Sequence, residues 1–204
     1  MPLEPFIAYS LACLVLVLVP GPSVTLIVAN SLRHGTGAGL LTVAGSQIGL
    51  MVVIAVVGAG LSSFVDTMGH WFDWLRLIGA AYLVWLGVRM LRARAASDMA
   101  APPAKPRGGF LLQGSLVALS NPKTLAFFGA FLPQFIDPRA DPLMQVAVMG
   151  ATFLAIAGAS DAIYATLAGR AGTLMSQRRV RLLSRISGGV LIGGGAWLAL
   201  ARMR

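Results

Sequence analysis

Residues 6–28 read FIAYSLACLVLVLVPGPSVTLIV, an apolar run long enough to cross a membrane, with Pro20-Gly21-Pro22 in its interior. Proline removes a backbone donor and clashes with the preceding helical turn, so this run predicts a helix that breaks or bends at these residues. In a bilayer, the freed backbone groups are tolerated only against protein or a water-filled cavity. The stretch therefore predicts a broken membrane helix whose interruption faces protein or water.

A second interruption of the same kind lies in the other half of the chain. Asn121-Pro122-Lys123 interrupts the apolar run from Phe110 to Ile136. Paired interruptions at corresponding places in two halves of a chain point to the binding site of a transporter. Because both interruptions fall near the midplane when counted along their spans, the sequence predicts two opposed breaks around one site.

The composition indicates an integral membrane protein. The chain has 204 residues, of which 57% are apolar and only 11% charged, and its mean hydropathy is +0.79. A soluble domain is closer to one quarter charged. The net charge of +9 is not interpreted as nucleic-acid binding, because the basic residues fall in short loops between apolar runs, where the positive-inside rule explains them.

The apolar runs predict an all-α, polytopic membrane protein with six transmembrane helices arranged as two inverted three-helix repeats. The whole chain is one transporter domain, with halves of about 1–91 and 110–204 joined by a cytoplasmic linker, 92–109, rich in Ala, Pro, Lys and Arg. A tandem repeat of three spans must be inverted in the membrane. The predicted spans are 6–29, 39–62, 71–91, 110–136, 143–168 and 183–201.

The distribution of basic residues predicts the orientation. With the 92–109 linker in the cytoplasm, the inside loops and span ends hold eleven Lys and Arg residues, the outside holds four, and Lys123 lies in the membrane. The positive-inside rule then places both termini in the periplasm of a bacterial inner membrane. The lipid bilayer is thus the predicted surroundings of the protein.

The first interruption predicts an anion-binding group. Opening the helix at Pro20 to Pro22 exposes backbone N–H groups at the start of the second half-helix, and such a terminus attracts a carboxylate. Gly21 would let the backbone approach a ligand, and Ser23 would add a hydroxyl contact. The alternative is a purely structural kink, since Pro and Gly are common in membrane helices.

Two charged residues within the spans predict further parts of the site. Lys123 at the bilayer centre costs roughly 2.5–3.5 kcal/mol, so we expect it to bind a substrate carboxylate or to titrate, with Asn121 and Pro122 beside it; capping of exposed carbonyls is the alternative. Asp161 would bind an ammonium group, carry a coupling proton or pair with Lys123, the alternative being a structural ion pair. Gln47 is a further polar candidate and Ser46 beside it a weaker one, although such residues often only join helices.

Four blocks of sequence resemble the LysE/RhtB family of amino-acid exporters. They are Pro20-Gly21-Pro22; the glycines 35, 39, 45 and 49; residues 79–87 (GAAYLVWLG) with Met90-Leu91; and Asn121-Pro122-Lys123 followed by Phe127-Phe128 and residues 131–135 (FLPQF). The resemblance implies efflux of amino acids or related small metabolites, driven by proton antiport, with no bound cofactor.

Other function classes lack the residues that they need. An enzyme would need a nucleophile with a base or a metal cluster, a thiol relay needs paired cysteines and only Cys13 is present, and no filter-like loop suggests a channel. Export of a metal cation stays the alternative within transporters, although Cys and His clusters are absent and no metal ligands are predicted. Gly193-Gly194-Gly195 is interpreted as a packing surface within the bundle or as a homodimer contact.

Overall fold

The computed structural model describes residues 3–18, 20–63, 68–92, 105–137, 139–174 and 177–200, and within these ranges the chain is helical with no strand. The described helices overlap the predicted apolar runs. In chain order, the elements are α1 (Leu3–Leu18), α2 (Pro22–His34), α3 (Thr36–Ser63), α4 (Met68–Arg92), α5 (Gly109–Leu119), α6 (Pro122–Ala126), a π-helical turn (Phe127–Phe131), a 3₁₀ turn (Leu132–Phe135), α7 (Pro142–Leu174) and α8 (Gln177–Leu200).

Several helices extend past the apolar runs that predicted them. The last two are the clearest cases: α7 continues to Leu174 and α8 begins at Gln177, so Arg170 and Arg178 lie in helices and not in the loop that the sequence predicted. Hydropathy marks the part of a helix that suits lipid, whereas its backbone hydrogen bonds continue into water. Most of the predicted linker, residues 93–104, lies outside the described residues.

In the described part of the chain, two single helices and one broken pair of helices are long and apolar enough to cross a membrane. The single helices are α3, over Thr36–Ala59, and α7, over Pro142–Gly172, and the broken pair is α1 with α2, which meet at an angle of 47°. The described residues therefore support a helical membrane protein, and the full count of six spans belongs to the proposal below.

The first predicted interruption is present as a helix break. Helix α1 ends at Leu18, Gly21 has an extended backbone with φ −114° and ψ −169°, and Pro22 occupies the first turn of α2. Proline suits that position because its missing N–H would have no intrahelical partner there. The break thus follows from local proline chemistry.

The second interruption is more extensive than the sequence predicted. Helix α5 ends at Leu119, and α6 restarts at Pro122 but keeps α geometry only to Ala126 before the π-helical and 3₁₀ turns. The expected apolar continuation is therefore a short, irregular segment. Pro133 contributes to this irregularity because it has no amide hydrogen to continue an α-helical ladder.

Glycines set the distance between α3 and its neighbours. A side chain at Gly45 would collide with the backbone of Leu111 in α5, and one at Gly49 would meet the backbone of Ser115 at 2.6 Å. Small residues at helix crossings let backbones approach closely in membrane proteins. Gly35 differs, because it ends α2 with φ +87°, a conformation that glycine adopts without strain.

We expect Gly45→Ala to destabilise the protein strongly. The added methyl group would overlap the carbonyl oxygen of Leu111, which belongs to a rigid helix backbone, and overpacking of this kind costs roughly 3 kcal/mol. The melting temperature of the purified protein in detergent should fall by several degrees. Gly37→Ala is the matched control, because a side chain at Gly37 meets nothing within 4 Å; equal melting temperatures of the two variants would contradict the prediction.

Aromatic side chains form the core on one side of the broken helices. Phe127 stacks on Phe153 with ring centroids 5.3 Å apart, and Phe128 meets the same ring edge-on at 4.9 Å. Tyr9 of α1 lies 5.8 Å from Phe127, and its hydroxyl donates to the carbonyl of Met149 at 3.1 Å. This aromatic cluster ties α1, α7 and the irregular turn together.

Candidate functional site

The two helix breaks meet through a direct hydrogen bond. The Asn121 side chain donates from Nδ2 to the Ser23 Oγ at 2.9 Å, and its Oδ1 accepts from the Lys123 backbone N–H at 3.1 Å. Asn121 therefore caps α6 and joins it to the start of α2. A cap of this type satisfies one of the free amides at a helix N-terminus, so one residue organises both interruptions.

Lys123 fills a gap that Pro20 creates. In a regular helix, the carbonyl of Leu16 would accept from the amide of residue 20, but Pro20 has no amide hydrogen. The Lys123 Nζ donates to this carbonyl at 2.9 Å. Its stem passes Gly21, where an added Cβ would lie 3.5 Å from Cε. This is the contact that the capping interpretation predicts, and it crosses between the two broken helices.

A small cavity lies beside these contacts. Its volume is about 30 Å³, which is room for about two water molecules. The apolar part of its wall consists of Val17, Val24, Leu50, Phe153 and Ala157 with the backbone of Gly21, and the polar part consists of Ser23, Ser46, Asn121, Lys123, Thr124 and Asp161. The cavity thus combines one cation, one carboxylate and several neutral polar groups with an apolar surface.

Asp161 brings a negative charge to the cavity from α7. It is only 5% exposed, and its charge interacts through space with that of Lys123. Among the described residues, no group donates a hydrogen bond to its carboxylate. A buried carboxylate near a partly buried ammonium group lowers the cost of both charges, while the unoccupied acceptor sites of Asp161 are available to a ligand.

The other residues predicted from the first break occupy different positions. Ser23 and the backbone of Gly21 line the cavity, and Pro22 is buried in the first turn of α2. Pro20 is exposed. Gly21 lies against the stem of Lys123, so the close approach that its missing side chain permits is to a lysine of the same chain.

Gln47 is near the cavity but is not part of its wall. With its amide oriented to satisfy both contacts, Gln47 donates to the Leu154 carbonyl and accepts from the Gly158 amide, each at 3.2 Å. It therefore joins α3 to α7 through two backbone groups that lie one helical turn apart in α7. Gly158 makes room for it, since a Cβ there would lie 3.2 Å from the Gln47 side chain.

Two residues in the wall had little weight or none in the sequence analysis. Ser46 immediately precedes Gln47, and Thr124 follows Lys123; both are buried and both line the cavity. Thr124 could have been found from the sequence, because the residue after Lys123 stays near the break. Ser46 could not, since nothing in the sequence says which side of α3 faces the cavity.

The described residues contain no group of three or more His, Cys, Asp or Glu side chains with a geometry that would hold a metal ion. The ionisable pair in the cavity is Lys123 and Asp161. Its chemistry is complementary to that of a zwitterion, because a cation and a carboxylate line one cavity.

Comparison with known proteins places the chain in a family. The family model of the LysE type translocator matches residues 14–202. The chain is 34% identical to the homoserine/homoserine lactone efflux protein of Salmonella typhimurium over 204 residues, 99% of each chain. It is 34% identical to the leucine efflux protein of Klebsiella pneumoniae over 140 residues, 66% of this chain and 65% of that protein.

A third relative, an uncharacterized membrane protein of Vibrio cholerae, is 34% identical over 208 residues, which is 99% of this chain and 100% of that protein. No solved structure matches the chain. Because the family model covers nearly the whole sequence and two of these relatives align over almost their full length, this chain is a membrane protein that belongs to the LysE type translocator family.

Proposed function

We propose that the protein is a secondary exporter of small neutral amino acids, and that the cavity between the two helix breaks is its binding site. The observation that carries the proposal is the presence of Lys123 and Asp161, a cation and a carboxylate, in one cavity at the point where two helices are interrupted. Broken helices around a midplane site are the usual architecture of such transporters. The protein acts as a transporter and not as an enzyme.

The compounds named for its relatives suggest how a substrate is held. Homoserine and leucine carry both an α-ammonium group and a carboxylate, whereas homoserine lactone has its carboxyl group closed into an ester and keeps only the ammonium. The charged group common to all three is therefore the ammonium. We assign its binding to Asp161, and we assign the carboxylate of a free amino acid to Lys123.

This assignment changes the hydrogen bonding of Lys123. In the present state, its ammonium group donates to the carbonyl of Leu16. A substrate carboxylate would replace or share that carbonyl, and a charged acceptor forms the stronger hydrogen bond. Binding would thus loosen the tie between α1 and α6, which gives the substrate a direct effect on the two broken helices.

The cavity is too small to hold a substrate in this state. About 30 Å³ is far too little for an amino acid, so a substrate enters only when the helices move apart. On one side, Asn30 donates to Thr42 and to Gln113, both at 3.0 Å, and thereby joins α2, α3 and α5. On the other side lies the aromatic cluster of Tyr9, Phe127, Phe128 and Phe153. Alternate opening of these two closures would give alternating access.

We place this mechanism in six spans formed by two inverted repeats, with the linker in the cytoplasm and both termini in the periplasm. The hydrogen-bonded group of Asn30, Thr42 and Gln113 then faces the cytoplasm, and the aromatic cluster faces the periplasm. Proton antiport follows if the Asp161 carboxylate binds either the substrate ammonium or a proton. Such competition couples outward movement of substrate to inward movement of protons.

Efflux from proteoliposomes tests the proposal. Vesicles loaded with labelled homoserine, leucine or lysine are diluted into buffer of lower pH, so that protons move inwards as substrate leaves. We expect rapid efflux of homoserine and leucine, little efflux of lysine because its second cation lacks a partner, and slower efflux when an ionophore removes the proton gradient. Efflux no faster than from protein-free vesicles would refute the proposed function.

A further inference from the structure

Ser46 is a buried polar residue without a partner in the wall of the cavity. It is 1% exposed, its Oγ has no hydrogen-bond partner in the described part of the chain, and it lines the cavity. A buried hydroxyl without a partner loses the free energy of its hydrogen bonds to water. Such a group in a binding cavity points to a ligand that supplies the missing partner.

Four other hydroxyl groups in helices of this protein bond to a carbonyl of their own helix. Thr42 donates to the Ala38 carbonyl at 2.8 Å, and Ser115 donates to the Leu111 carbonyl at 3.1 Å. Thr152 and Thr166 do the same at 2.9 and 2.8 Å. Bonding to the carbonyl four residues earlier is the ordinary solution for Ser and Thr within a helix. Ser46 does not use it, so its hydroxyl stays available on the cavity side.

The packing of α3 against α7 places Ser46 at the same end of the cavity as Asp161. The two helices run in opposite directions, with Gly39 beside Ala165 and Gly150 beside Ile54. This register sets Ser46 level with residue 158, less than one helical turn from Asp161. Leu50 lies one turn further along α3, towards Phe153. Ser46 and Asp161 thus lie towards one end of this α3–α7 wall, and Leu50 and Phe153 form its apolar end.

We propose that Ser46 is a second binding residue for the α-ammonium group of the substrate, acting together with Asp161. This assignment rests on the proposed function. An ammonium group has three N–H donors, and the carboxylate and the hydroxyl form no hydrogen bond with each other in the described residues. The substrate side chain then lies at the apolar end, against Leu50 and Phe153, where side chains of different shapes are accommodated.

The expected result for Ser46→Ala is a uniform loss of affinity. KM should rise about tenfold for homoserine and for leucine alike, because a hydrogen bond to a charged group is lost, while kcat stays within about twofold. Ser46→Cys should give a similar rise, because a thiol is a weak acceptor of similar shape. Initial efflux rates at a series of internal substrate concentrations give both constants.

Ser31→Ala is the matched control. Ser31 is 0% exposed and its Oγ also has no partner in the described part of the chain, but it packs beside Gly39 and does not line the cavity. Its replacement should leave KM unchanged. Each alanine variant removes a buried hydroxyl that has no partner in the described part of the chain. Neither variant should therefore have a lower melting temperature in detergent than the wild type.

The outcomes separate this assignment from the proposed function. A rise in KM for homoserine only would mean that Ser46 reads a hydroxyl group on the substrate, and it would overturn the assignment. Unchanged KM for both substrates, or an equal rise in Ser31→Ala, would overturn it as well, with the proposed function intact. Absence of transport by the wild-type protein would instead refute the proposed function and the assignment together.

Discussion

We expect Asp161→Asn to reduce the export rate of every amino acid at least about a hundredfold, which is the largest effect expected of a single change. The carboxylate is the only negative charge among the described residues that line the cavity, and it also compensates the charge of Lys123. Removing one member of a buried charge pair costs about 3–5 kcal/mol, and each 1.4 kcal/mol is a factor of ten in an equilibrium constant. The amide keeps the size of the side chain, so the loss is one of charge.

The measurement is the initial rate of efflux of homoserine and leucine from proteoliposomes with matched protein content. Asp141→Asn is the control, because Asp141 is exposed and its Oδ1 accepts from the Leu143 amide at 2.9 Å, a contact that the asparagine oxygen keeps. Asp161→Glu should retain part of the activity. Wild-type rates in Asp161→Asn with an unchanged response to pH would exclude both ammonium binding and proton carriage by this residue.

We expect Lys123→Met to reduce the export rate of homoserine and leucine about a hundredfold. The export rate of homoserine lactone should fall only about tenfold. The export rate of every substrate falls because the hydrogen bond to the Leu16 carbonyl is lost and the charge of Asp161 is left uncompensated. Only the free amino acids lose a partner for their carboxylate as well, at about 1.5–3 kcal/mol for a hydrogen bond to a charged group. The ratio between the two kinds of substrate is therefore the informative quantity.

The same vesicles, loaded with one substrate at a time, provide this ratio. Lys105→Met is the control, since Lys105 is exposed and its replacement should change neither rate. Equal losses for homoserine and its lactone would show that Lys123 only caps the end of α1, as the structural alternative in the sequence analysis holds. A lower melting temperature is expected in either case, because the Leu16 carbonyl loses its donor.

The positions of the helix breaks were predictable because their cause is local. Pro20, Pro22 and Pro122 each lack an amide hydrogen, and no distant residue changes this. The apolar runs likewise predicted where helices form, since a membrane requires about 20 apolar residues per span. The ends of α7 and α8 were not predictable from hydropathy, because a helix continues into water as long as its backbone is satisfied.

The partners of the breaks depend on packing and were not predictable. That the Leu16 carbonyl lacks an intrahelical donor follows from Pro20 alone, but its donor, the Lys123 Nζ, is 107 residues away in sequence. Gln47 was the stronger candidate from the sequence and Ser46 the weaker one, but Ser46 lies in the wall of the cavity and Gln47 packs against α7. Adjacent residues in a helix point about 100° apart, so a small rotation of α3 decides between them.

From its amino acids alone, this chain is specified as a helical membrane protein with two proline interruptions and two charged residues within its spans, since each property resides in a residue type and its neighbours. The meeting of those charges in one cavity, and the choice of Ser46 for its wall, depend on how closely α3 approaches α5 and α7. That approach is set by contacts between helices distant in sequence, at Gly45, Gly49 and Gly150. Side-chain direction in a bundle is a property of such contacts, and no single helix contains it.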